Sequence, residues 1–163
     1  MPLTPNPEHL RRAIALATEN VQSGTGGPFA ALIVRPGPNG DEVIAEAANS
    51  VTTTNDPTAH GEVNAIRKAC AALGTFSLAG CVIYTSCEPC PMCLAAIYWA
   101  RLEAIYFGCN QHDAARADFD DAFLYEQLRL SGPDRSIPSE QLLQEEAWGA
   151  FAAWQALATK VDY

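Results

Sequence analysis

Apolar residues recur at helical spacing over residues 8–23, where Leu10, Ile14, Leu16, Ala17 and Val21 fall roughly on one stripe. That period predicts an amphipathic helix, ended by the turn-forming run Gly24-Thr25-Gly26-Gly27-Pro28. The pattern then changes to strand-like segments at 29–35 and 42–49. Pro36-Gly37-Pro38-Asn39-Gly40 separates them, which predicts an antiparallel hairpin. A second helix is expected over about 58–73, opened by Asp56-Pro57, a capping residue and a proline suited to a first turn. Residues 81–86 read as a short buried strand, 91–101 as a helix and 104–108 as another strand. Helices near 122–130 and 145–160 complete the chain.

Strands and helices that alternate in this way imply a sheet covered on both faces, so the fold class expected is α/β, an α/β/α layered sandwich. No internal repeat or low-complexity linker divides the chain, and residues 1–163 are read as a single domain.

Charge narrows the partners. Nineteen acidic residues against ten basic ones give a net charge of −9. A polyanion is gripped by a field of Lys and Arg, whereas this chain has only scattered pairs such as Arg11-Arg12 and Arg67-Lys68. No long nucleic acid is expected as a partner. No apolar run approaches the roughly 20 residues of a membrane helix, and the first residues carry no signal-peptide pattern. The expectation is a cytoplasmic protein with no membrane partner. The six cysteines then suit a reducing compartment.

Three of those cysteines are spaced Cys87-x-x-Cys90-x-x-Cys93, inside Ser86-Cys87-Glu88-Pro89-Cys90-Pro91-Met92-Cys93. Upstream stands Asp56-Pro57-Thr58-Ala59-His60-Gly61-Glu62. Together they give His-x-Glu followed by Pro-Cys-x-x-Cys, the pattern of zinc deaminases. His60, Cys90 and Cys93 are ligand types that zinc favours, and three of them leave a fourth tetrahedral position open. Cys90 and Cys93 start a predicted helix, where partial positive charge favours thiolates. Glu62, one residue beyond His60, is placed to take a proton from water and return protons to substrate.

Other readings of these residues compete. Cys87 could complete a four-ligand structural zinc site, or pair with Cys90 as a redox dithiol, and a Cys–His nucleophile pair is a further reading. Gly24-Thr25-Gly26-Gly27 precedes a strand and is read as a turn, not a phosphate loop. His9 and His112 are expected on the surface, and Cys70, Cys81 and Cys109 as small core residues.

With these residues in view the chain resembles the cytidine deaminase superfamily, and within it the bacterial guanine deaminases. Asn55-Asp56-Pro57-Thr58-Ala59-His60, the run Tyr84 through Cys93, Ala96-Ile97-Tyr98-Trp99-Ala100-Arg101, Phe119-Asp120-Asp121 and Phe151-Ala152-Ala153-Trp154 carry the likeness. The resemblance implies a five-stranded mixed sheet and one Zn2+ per subunit. It also implies a homodimer that exchanges the segment from about 140 to 163. It assigns zinc to His60, Cys90 and Cys93, proton transfer to Glu62, and to Asp121 both contact with the 2-amino side of guanine and assistance in proton transfer. Asn49 would hydrogen-bond the base, Phe29 and Trp99 would line the pocket, and Tyr163 would close the neighbouring subunit's pocket. The implied reaction turns guanine into xanthine and ammonia. Guanosine, cytosine or an aminotriazine are alternative substrates and tRNA adenosine a more remote one; a zinc-stabilised binding module is the non-enzymatic alternative. Gly61 stands where the family usually has alanine, and is expected to loosen the helix start by roughly 0.5–1 kcal/mol.

Overall fold

Five of the six residues of Ala30–Arg35 (β1) are buried, and this apolar run is the strand around which the other layers are laid. The computed structural model describes residues 4–163; residues 1–3, which open both the single domain and the segment read as lacking a signal pattern, lie outside it. β1 pairs antiparallel with β2 (Glu42–Ala48) on one side and with β3 (Val82–Cys87) on the other. β3 in turn pairs parallel with β4 (Ile105–Cys109), giving the order β2-β1-β3-β4. The expected hairpin is therefore present, with a register shift between Ile33 and Val34.

Alternation along β1 sorts its side chains to two faces. Leu32 and Val34 pack with Val82, Tyr84 and Ala13, the last from helix α1 (Pro7–Gln22). Ala31 and Ile33 pack on the opposite face with Ala65 and Ala69 of α3 (Gly61–Leu73) and Ile97 of α4 (Pro91–Trp99). Helices on both faces make the three layers expected from the alternating pattern.

The sheet has four strands among the described residues, not five. After β4 the chain turns helical at once, because Asn110 caps α5 (Gln111–Arg116) with a reciprocal capping box to Asp113. The helix α6 (Asp121–Arg129), a single turn at Gly132–Asp134 and the helix α7 (Gln144–Ala156) follow. The start of α3 also differs from expectation. Asp56 accepts hydrogen bonds from the Thr58 amide at 2.8 Å and from its hydroxyl at 2.7 Å. It closes a local turn instead of capping the helix. A short helix, α2 (Val51–Thr54), precedes that turn, and Asn55 leaves it with a left-handed φ of 52°.

Beyond β4 only Ala114 of α5 is buried among the described residues. No residue of α6 or α7 is buried, and Trp148, Phe151, Leu142 and Leu143 are exposed. Cys109, expected in the core, is exposed at the end of β4, and Cys70 is half-buried; Cys81 is buried as expected. No helix of the described residues is long and apolar enough to cross a membrane.

Candidate active site

Two helix starts meet at one point. His60 is the N-cap of α3 and Cys90 the N-cap of α4, and neither uses its side chain to cap its own helix. Pro91 follows as the first helical residue, where no amide hydrogen is needed, and Cys93 stands in the first turn of α4. The result is a convergent donor set: His60 Nδ1 lies 3.5 Å from Cys90 Sγ and 3.4 Å from Cys93 Sγ. Tetrahedral zinc with ordinary Zn–S and Zn–N lengths separates such donors by about 3.6 Å. The three residues fit that ion in type and in spacing, and their ligand atoms all lie within 4.8 Å of one another.

Protonation follows from the same closeness. A hydrogen bond from Cys93, and then one with His60, hold the Cys90 thiol down to about 4, while Cys93 is pushed well up by its bond to Cys90 and by burial. The imidazole of His60 is raised, chiefly by Cys90. Cys90 is thereby held in the thiolate form in which cysteine binds a metal ion.

Glu62 is 4 % exposed and faces the same cavity as His60 and Cys90. Burial pushes its carboxyl up to about 7, within reach of both protonation states near neutral pH. Its placement depends on Gly61. A Cβ at Gly61 would lie 2.8 Å from Ala30 Cα and 3.1 Å from Phe29 O. The glycine therefore lets the start of α3 rest directly on the β1 backbone, which corrects the expectation that it only loosens the helix.

The cavity measures about 260 Å³ and is lined among others by Phe29, Asn49, His60, Glu62, Phe119 and Asp121. Asn49 is buried, and its Oδ1 accepts the amides of Gly27 and Val51, each at 3.3 Å. That leaves its NH2 group to donate into the cavity. Behind it, Asn20 Nδ2 donates to the carbonyls of Gly27 and Asn49, both at 2.9 Å. Gly26 is pressed against Asn49 O, 2.2 Å from where its Cβ would be. The glycine run is thus a turn that closely follows Asn49.

Phe29 meets Phe119 edge to face with ring centroids 4.7 Å apart. Asp121 is the first residue of α6, whose N-cap is Asp120, so capping is not its role. Its carboxyl is raised by burial first and by the negative Cys90 second.

Trp99 and Tyr163 are not among the residues lining this cavity. Trp99 ends α4 and is 61 % exposed, and Tyr163 packs on it with ring centroids 5.8 Å apart. The physical reason is helical: Trp99 stands six residues past Cys93, near the far end of α4.

Cys87 is not in the donor cluster. Its thiol points to Asn110 O at 3.7 Å, and burial pushes it up to about 12. That removes the fourth protein ligand of a structural zinc site, and it is the opposite of a reactive dithiol. Among the histidines read as surface residues, His9 pairs with Asp41 at 2.8 Å. The cavity is also lined by Val51, Thr52, Glu88 and Phe119, to which the sequence assigns no role; Glu88 accepts the Gln111 amide at 2.9 Å. Glu88 lies inside the cysteine motif, so its position was the available signal.

The model of the cytidine and deoxycytidylate deaminase zinc-binding region matches residues 4–109. Guanine deaminase of Bacillus subtilis is 51% identical over 154 residues, spanning 94% of this chain and 96% of that protein. Its solved structure superposes with a TM-score of 0.91, covering 98% of this chain and 99% of that one at 49% identity. A tRNA-specific adenosine deaminase of Agrobacterium fabrum is 36% identical over 66% of this chain and 68% of its own length. The cavity, the three metal donors and the buried glutamate thus sit in a chain that belongs to the zinc-dependent cytidine and deoxycytidylate deaminase family, together with the guanine deaminase of Bacillus subtilis.

Proposed function

We propose that this protein deaminates guanine hydrolytically, giving xanthine and ammonia. One observation carries the reading: the buried carboxyl of Glu62 stands outside the set of three convergent metal donors, and it lines one small cavity with His60 and Cys90. His60, Cys90 and Cys93 would hold zinc. Zinc held there supplies the Lewis acidity that makes water a nucleophile near neutral pH. Glu62 accepts the first proton that water loses and passes it to the ring nitrogen beside C2; it then takes the second proton from the new hydroxyl at C2 and gives it to the departing amine. A C–O bond forms at C2 and the exocyclic C–N bond breaks, so water and guanine become xanthine and ammonia.

The other side chains orient the ring. Asn49 donates from its NH2 to an acceptor of the base, Phe29 and Phe119 cover the ring face, and Asp121 accepts from the amino side. The cavity of about 260 Å³ is below the roughly 300–1,000 Å³ of sites for drug-sized ligands. That favours a free base over guanosine or a tRNA loop. The charge of −9 also disfavours tRNA, and the B. subtilis guanine deaminase matches the C-terminal third as well.

We further propose that residues 1–163 act as one catalytic domain in a cytoplasmic homodimer, with the segment from about 140 to 163 exchanged. The support is α7, which buries nothing in its own chain, and the outward Trp99–Tyr163 pair, which a second copy's cavity would receive.

Ammonia release from zinc-loaded protein given guanine, guanosine, cytosine, adenine or tRNA separately tests the reaction. Strong release from guanine alone is expected, lost about 10²- to 10⁴-fold in Glu62→Ala with zinc retained. Full activity in Glu62→Ala would remove the proton carrier, and no release from any substrate would favour a binding module.

A further inference from the structure

Asp121 belongs to a helix with little to hold it. No residue of α6 is buried, and its N-cap Asp120 makes no side-chain hydrogen bond to the first turn. The Phe29–Phe119 contact holds the chain two residues before Asp121, but within α6 itself neither a buried residue nor a side-chain cap fixes where the first turn sits. Arg135 Nε donates to the Gln127 carbonyl at 3.2 Å, and the Ser136 amide donates to Gln127 Oε1 at 2.8 Å. They tie the far end of α6 to the loop that follows it, away from the cavity.

Tyr125 makes a different contact. It stands four residues after Asp121, one helical turn on, so the two side chains leave the same face of α6. Its hydroxyl donates to the carbonyl of Pro89 at 2.8 Å, in a half-buried setting. Pro89 immediately precedes Cys90, the donor that caps α4. One hydrogen bond therefore spans from the metal-binding loop to the helix that carries Asp121.

We propose that Tyr125 is a positioning residue, whose hydroxyl fastens α6 to the Pro89 carbonyl and so holds Asp121 over the cavity. The inference rests on the reading of Asp121 as a group that contacts the base. It gives Tyr125 no contact with substrate: its effect passes through Asp121. Losing the hydroxyl leaves the Pro89 carbonyl without its donor and lets the first turn of α6 drift.

The test is a double-mutant cycle in the zinc-loaded full chain, with Tyr125→Phe and Asp121→Asn read as kcat and KM for guanine. Tyr125→Phe keeps the ring, so zinc content is expected to stay at the wild-type level and the thermal midpoint within about 4 °C. Its kcat is expected to fall about tenfold, the scale of one lost hydrogen bond. On the Asp121→Asn background the same change is expected to cost nothing further. Wild-type kcat in Tyr125→Phe, or losses that multiply in the double variant, would overturn the proposal while leaving the role of Asp121 standing. Wild-type kcat in Asp121→Asn would instead sink the reading of Asp121, and this inference with it. Amide exchange gives a second readout: residues 121–125 should exchange faster in Tyr125→Phe while 91–99 keep their protection. Unchanged exchange at 121–125 would overturn the proposal.

Discussion

The chain up to Asn110 and the chain beyond it solve the problem of apolar surface in opposite ways. In the first region every residue of β3 is buried, and β1, α1, α3 and α4 close two clusters around the sheet. In the second, α6 and α7 bury nothing, although α7 carries Trp148, Phe151 and Trp154. The metal donors and Glu62 belong to the first region, held by strand ends and helix starts. Asp121 and the aromatic C-terminal face belong to the second. The contrast teaches that apolar composition alone does not make a core, because large aromatics without a facing layer are a surface that calls for a partner.

The sharpest way to break this comparison is to strip the metal. Chelation is expected to abolish turnover and to lower the thermal midpoint through α3 and α4, whose starts the ion would join. An unchanged midpoint would mean that the first region needs no metal to hold its shape. Next in size is the pair Phe151→Glu with Trp154→Glu. It is expected to convert a dimer to a monomer in sedimentation and to cut guanine turnover at least about tenfold. A monomer with full turnover would show that no second copy completes the cavity. Gly61→Ala should cost about 1–3 kcal/mol in thermal unfolding, because the added methyl must push α3 off the β1 backbone. A wild-type midpoint there would mean that the two elements part freely.

The smallest effect is electrostatic. Arg12 forms hydrogen bonds with Glu46 at 2.6 and 2.9 Å, and this contact first of all holds the Glu46 carboxyl below its ordinary value of 4.5. A depressed carboxylate stabilises the fold above that ordinary value and loses the contribution as pH falls through the lowered one. Both side chains are 40% exposed, so the contribution is a few tenths of a kcal/mol. Arg12→Met should therefore be slightly less stable than wild type at pH 7, and equal to it at an acid pH below the lowered Glu46 value. A gap of the same size at both pH values would assign the effect to packing of the arginine stem.

The two regions also differed in how well they could be read from sequence. The hairpin, β3, α4 and the donors His60, Cys90 and Cys93 were legible because short periods and ligand spacing are local properties. The start of α3 is hard to read because Asp56 can close a turn as readily as it can cap a helix; here it closes the turn with Thr58, and the Ser50 amide donates to the Ala59 carbonyl across the same loop. The role of Gly61 was hidden for a related reason: its neighbour Ala30 is thirty-one positions away along the chain. Phe119 and Glu88 enter the cavity only once α5 folds back on the cysteine loop. Trp99 was read as a pocket aromatic, and its place at the far end of α4 follows from helix geometry.

All three tryptophans of the chain, Trp99, Trp148 and Trp154, are exposed, and none belongs to either buried cluster. Intrinsic fluorescence of this protein is consequently an optical report on whatever covers the aromatic face, with the β-sheet dark at that wavelength. Denaturation followed by tryptophan emission and by circular dichroism would thus track two different events in one sample, and the interval between the two curves would measure how tightly they are coupled.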